Sequence, residues 1–160
     1  MSRILCIGDT MIKDLVIVSK NCHWEVQCYH NITAMTMADD HLFSFFLNEK
    51  KYDIIIFSFG TVDLMLNDSM QNVVNNVLYL YTIAKQITPK VIVMSSIKKF
   101  ENYNLELFFR IGGQNLCNTL GNLSSKYLNG IYPNSRGRKR IAKRLKKMVD
   151  VFSTDFWEIK

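Results

Sequence analysis

A hydroxyl stands directly after an apolar run and a tight turn: Ile4-Leu5-Cys6-Ile7 leads through Gly8-Asp9 to Thr10. Ser95 and Ser96 follow a second such run, Val91-Ile92-Val93-Met94. A hydroxyl in that place attacks an acyl group only when a base lies within hydrogen-bond reach and donors face the developing oxyanion. The bases on offer are His23, His30 and His41. His30 follows the second strand candidate, where it either approaches the same crevice or is a plain loop histidine, the reading preferred here. His41, beside Asp39-Asp40, reads as a helix-surface residue, because adjacent helical positions point in different directions. No metal site and no cofactor are expected. Ser95 and Ser96 read as hydroxyls that satisfy loop backbone groups.

The elements that must position these residues alternate. Ile4 to Ile7 reads as a buried strand entering a turn, and Met11 to Ser19 as a short helix. Trp24 to Tyr29 suits a second strand. Thr36 to Asn48 suits a helix with Ala38, Leu42, Phe45 and Phe46 inward. Asp53 to Phe59, continuously apolar through Ile54-Ile55-Ile56-Phe57, reads as a strand covered on both faces. Asp68 is the expected N-cap of a helix over Ser69 to Ile87, which Pro89 stops. Val91 to Met94 is a fourth strand. Asn104 to Leu123 reads as partly helical and bent at Gly112-Gly113, and Tyr127-Leu128 as a short last strand. A closing helix over Arg136 to Phe152 turns Ile141, Leu145, Met148, Val149 and Phe152 to one side. Such alternation predicts a three-layer α/β/α sandwich around a parallel sheet, in one domain over residues 1–160. Its ligands bind beyond the carboxyl ends of the strands, where Thr10, Val62 and Ser95 fall.

These stretches, in this order, resemble the GDSL/SGNH hydrolases. The likeness rests on Gly8-Asp9-Thr10, on Gly60-Thr61-Val62-Asp63, and on Asn129-Gly130-Ile131-Tyr132-Pro133 followed by Gly137. It spans about Arg3 to Leu145. The resemblance implies a sheet of about five parallel strands and a serine nucleophile in the first turn, where this chain has Thr10. It implies oxyanion donors from that residue's amide, from a glycine after the second strand and from an asparagine in the third motif. Asn31-Ile32-Thr33-Ala34 offers no glycine, and Val62 stands at the asparagine position. It implies an aspartate and a histidine three residues apart, where Asn129 and Tyr132 stand. Asp9 and Asp63, facing each other across the crevice with Gly60, would be structural. Tyrosine as a residue type holds its proton to about pH 10 and makes a poor base. Valine has no donor, and one lost oxyanion donor costs roughly 2.7–4 kcal/mol of barrier. The resemblance therefore implies a hydrolase-like protein that lacks ordinary esterase activity and acts by binding. An esterase rebuilt around Thr10 is the alternative.

Charge supplies a third reading. The net charge of +6 is concentrated in Arg136, Arg138, Lys139, Arg140, Lys143, Arg144, Lys146 and Lys147, a segment without an acid. Arg140, Lys143, Arg144 and Lys147 recur at helical spacing as one stripe, which is either the solvated outer face of an amphipathic helix, the commoner outcome, or a surface for nucleic acid or an acidic partner. No aromatic residue interleaves that stripe in sequence, so base stacking is not expected there. Charged residues at 21% and two prolines argue against disorder. The apolar stretches are too short for a membrane span, and Gly8-Asp9 interrupts any signal-peptide core, so an intracellular protein is expected. Cys6, Cys22, Cys28 and Cys117 form no zinc pattern; Cys6 and Cys28 read as reduced core residues. Abundant Asn, Ile and Lys with little Pro and Gly fits an AT-rich genome, such as that of a virus or an intracellular parasite.

Overall fold

The computed structural model describes residues 1–39, 42–48 and 51–158, and at positions 45, 46, 48 and 153–158 the backbone alone. The expected positions of Asp40 and His41, and of the Phe45 and Phe46 side chains, lie outside the described residues. The chain begins with β1 (Ser2–Gly8), then β2 (Cys22–Cys28), α1 (Ala34–Asp39), α2 (Leu42–Asn48) and β3 (Ile54–Ser58). There follow α3 (Thr61–Met65), α4 (Met70–Ile87), β4 (Val91–Met94), α5 (Glu101–Ile111), β5 (Leu116–Cys117) and α6 (Thr119–Asn122). A hairpin of β6 (Leu128–Asn129) and β7 (Tyr132–Pro133) leads into α7 (Ser135–Glu158).

β1 to β5 form one parallel sheet in the order β2-β1-β3-β4-β5. Strand alternation divides the core into two layers. Leu5, Ile7, Ile55, Phe57 and Val93 face α1, α2, α4 and α5. Ile4, Cys6, Ile56, Ile92 and Met94 face α6 and α7. This is the expected α/β/α sandwich with five parallel strands. The order reverses at β1, with β2 on one side and β3 on the other, which makes their carboxyl ends the switch point where sheets of this kind take ligands. Among the described residues no helix is long and apolar enough to cross a membrane.

Several boundaries differ from the sequence expectations, each for a local reason. The helix expected over Met11 to Ser19 is a single 3₁₀ turn, Thr10–Ile12, because Lys13 leaves the helical region with a ψ of 134° and Asp14 follows with a left-handed φ of 62°. The helix expected from Thr36 begins earlier, at Ala34, where the Asp63 carboxylate receives the Ala34 and Met35 amides; its described parts are Ala34–Asp39 and Leu42–Asn48. Ser69, not Asp68, caps α4: its hydroxyl accepts the Asn72 amide at 3.2 Å. The fifth strand is Leu116–Cys117 rather than Tyr127-Leu128, since α5 ends at Gly112 and the chain returns to pair with β4. Leu128 pairs with Pro133 in the separate hairpin. Cys28 is exposed near the end of edge strand β2 and is not a core residue. Cys6 is buried, and burial pushes its thiol up to about 12, with Cys117 and Cys28 adding to the rise.

α7 closes the second layer with Ile141, Leu145, Met148 and Val149. Asn134 caps it, its side-chain oxygen accepting the Gly137 amide at 3.0 Å. Gly137 sits against the Tyr127 carbonyl, and a Cβ there would collide with that backbone oxygen. Gly137→Ala is therefore expected to lose about 1–3 kcal/mol in urea unfolding, as overpacked sites do. Unchanged stability would contradict this close approach.

Candidate functional site

The crevice at the switch point is lined by the turn after β1, the loop after β2 and the turn after β3. Thr10 is 5% exposed. Its hydroxyl accepts the Asn31 backbone N–H at 2.7 Å and lies 3.2 Å from His30 Nδ1 and 3.4 Å from Asn31 Oδ1. His30 is thus a loop residue, as expected, but one whose ring reaches Thr10. Asn31 takes a left-handed φ of 59°, a conformation that glycine and asparagine adopt most readily. It fills the place where the resemblance implies a glycine, and keeps that place's amide aimed at the hydroxyl. Sequence reasoning placed His30 after the second strand, where approach to the crevice was one of its two readings, and missed the role of Asn31. The available signal was their position at the end of a strand next to β1.

Gly60 opens α3 at a φ of 111°, and a Cβ there would stand 2.6 Å from Tyr103 Oη. Both facts exclude a side chain. Val62 is 9% exposed and presents only methyl groups. Asp63 caps α1 through both oxygens, at 2.8 Å and 3.2 Å, which accounts for its burial. Burial raises its pKa, and the Ala34 and Met35 amides oppose that rise. Asn129 and Tyr132 face each other across the β6–β7 hairpin, and β7 packs against the turn carrying Thr10. Among the described residues no hydrogen bond joins Tyr132 to Thr10. Ser95 is buried, and its hydroxyl donates to the Ser96 carbonyl at 3.3 Å. Ser96 in turn meets Thr61, hydroxyl to hydroxyl at 2.7 Å, and is bracketed by Asn104. Ser95 therefore belongs to a buried loop network and not to an open crevice wall.

Asp9 is fully buried, with Oδ1 accepting the Met11 amide at 2.9 Å. Burial pushes its pKa from 3.8 up to about 7, against the Met11 and Val62 amides and with help from Asp63. Native Asp9 keeps a proton that the unfolded chain loses near pH 4. Its contribution is fully present below about pH 4 and is lost as pH rises through about 7. Asp9→Asn cannot ionise. Its stability relative to the unsubstituted protein should rise by a few kcal/mol from pH 4 to above 7, at about 1.36 kcal/mol per pH unit. Urea unfolding across that range tests this, and a flat difference would contradict it.

The basic stripe is exposed: Arg140, Lys143, Arg144 and Lys147 all reach solvent on α7. One aromatic ring does meet the stripe, supplied by another segment. The Arg140 guanidinium lies 4.3 Å from the centroid of the Tyr127 ring, with Arg136 at 5.4 Å and Lys126 at 5.2 Å. Arg140 and Arg144 also line a groove of about 920 Å³ that Phe108 of α5 borders. Among the described residues no group of three or more His, Cys, Asp or Glu is placed to hold a metal ion.

Solved structures show which fold this is. A GDSL-like lipase from Bacteroides thetaiotaomicron superposes with a TM-score of 0.77 at 14% identity, covering 93% of this chain and 88% of that one. A putative acylhydrolase from Bacteroides fragilis matches with a TM-score of 0.77 at 14% identity, over 93% and 86%. An acetylxylan esterase from Geobacillus stearothermophilus matches with a TM-score of 0.68 at 10% identity, over 92% and 94%. No protein-family model and no curated protein sequence matches the chain. The chain has the fold of the GDSL/SGNH hydrolases.

Proposed function

We propose that this chain uses the SGNH fold as a scaffold, does not run ordinary serine-esterase chemistry, and acts by binding polyanions along α7. The observation that carries the reading is the exposed, acid-free row Arg140, Lys143, Arg144 and Lys147 beside a large groove. The hydrolase crevice supports it from the other side. Thr10 is 5% exposed and its hydroxyl already receives an amide. Val62 brings no donor, and a tyrosine stands where the base belongs. The test is binding of heparin and duplex DNA across a salt series. Affinity for duplex DNA should fall with a log–log slope of about −0.9 per phosphate neutralised. No binding at low salt would overturn the proposal.

One contact favours a second reading. His30 Nδ1 at 3.2 Å from the Thr10 hydroxyl is within reach for proton transfer. His30 would act as base from the loop after β2, with the Asn31 amide as donor, in an esterase rebuilt around Thr10. Ester turnover that depends on both Thr10 and His30 would establish this reading in place of the first.

A further inference from the structure

The large groove lies away from Thr10, between α5, α6 and α7. Three cations, Lys98, Arg140 and Arg144, border it, together with the exposed amides of Asn118 and Asn122. Glu101 is the acid of its lining. No ion pair with another described residue occupies the three cations. Phe108 also borders the groove and is 48% exposed. Its ring meets Phe109 edge-on at 5.9 Å, and Gly113 packs beside it. An exposed ring lining the same groove as cations pairs a stacking surface with phosphate binders.

The groove is also long. A second cavity of about 620 Å³ adjoins it, sharing Gly113 and Arg144 and bordered along α7 by Lys147 and by one acid, Asp150. A compact anion needs one such site; a linear polyanion uses both. Arg140 is already stacked on Tyr127, which lowers the entropy lost when it binds a phosphate. Tyr127 itself is 8% exposed and offers no face to a ligand.

We infer that this groove binds single-stranded nucleic acid, with phosphates on Lys98, Arg140, Arg144 and Lys147 and a base stacked on Phe108. The inference rests on the polyanion reading above and names the ligand class. A duplex keeps its base faces in its own stack and gives Phe108 no partner. An acidic peptide would meet the cations but not the ring. A single strand satisfies both.

Fluorescence anisotropy with labelled oligo-deoxythymidine, a duplex of equal length, heparin and poly-glutamate tests the assignment. Phe108→Ala should weaken single-strand binding about 5- to 150-fold, the range for loss of one base stack. It should leave heparin binding within about twofold. Arg144→Ala should weaken every polyanion. Heparin binding with an unchanged single-strand affinity in Phe108→Ala would overturn the inference and leave the polyanion reading standing. Poly-glutamate bound as tightly as the single strand would also overturn it. No polyanion binding at all would remove the reading beneath it. Phe108 is half exposed while Leu107 carries the core contact, so the variant keeps the fold; far-UV circular dichroism checks this.

Discussion

Reversing Lys143 and Lys147 to glutamate is expected to lower duplex-DNA affinity on the order of 100-fold at about 50 mM salt. Each phosphate contact contributes through counterion release, with affinity scaling as salt to the power of about −0.9 per contact. Losing two contacts therefore costs about two powers of ten at low salt and flattens the salt slope by about 1.8. The fold should be untouched, because both side chains are exposed while Ile141, Leu145 and Met148 hold α7 to the sheet. Affinity unchanged by the double reversal would move the polyanion site off this helix.

Ile55→Ala is expected to remove about 2–5 kcal/mol of stability. Ile55 is fully buried at the centre of the sheet, paired with Leu5 of β1 on one side and Val91 of β4 on the other. Truncation leaves a cavity that paired neighbours on both sides cannot collapse to fill, so the cost combines lost transfer energy with the void. Chemical denaturation reads the loss directly. A loss under about 1 kcal/mol would mean that β3 is not central.

The same residue shows why the sheet was legible. Ile54-Ile55-Ile56-Phe57 is apolar without interruption, a pattern that a strand covered on both faces produces and a half-exposed one does not. Val91 to Met94 was legible for the same reason, and its observed bounds coincide with the expected ones. β5 was not legible, because two residues carry no periodicity; pairing with Val93 and Met94 defines that strand. At the site, the resemblance to the GDSL/SGNH hydrolases marked Thr10, Gly60, Val62, Asp63, Asn129 and Tyr132. It did not reveal that His30 and Asn31, 20 and 21 positions on, turn back onto Thr10. That contact depends on β2 lying beside β1 and on Asn31 adopting a left-handed backbone. The stripe on α7 was visible as charge, whereas the Tyr127 ring that meets Arg140 comes from the segment before β6, and Phe108 of α5 borders the same groove.

The central claim is that the crevice of this hydrolase fold no longer hydrolyses simple esters. Its most direct test is turnover of a short-chain aryl ester by the purified protein beside Thr10→Ala, Thr10→Ser and His30→Ala. The account predicts no turnover above the uncatalysed rate for the unsubstituted protein. It predicts none for Thr10→Ser either, because Val62 still lacks a donor and a tyrosine still occupies the place of the base. Hydrolysis by the unsubstituted protein that disappears in both Thr10→Ala and His30→Ala would contradict it.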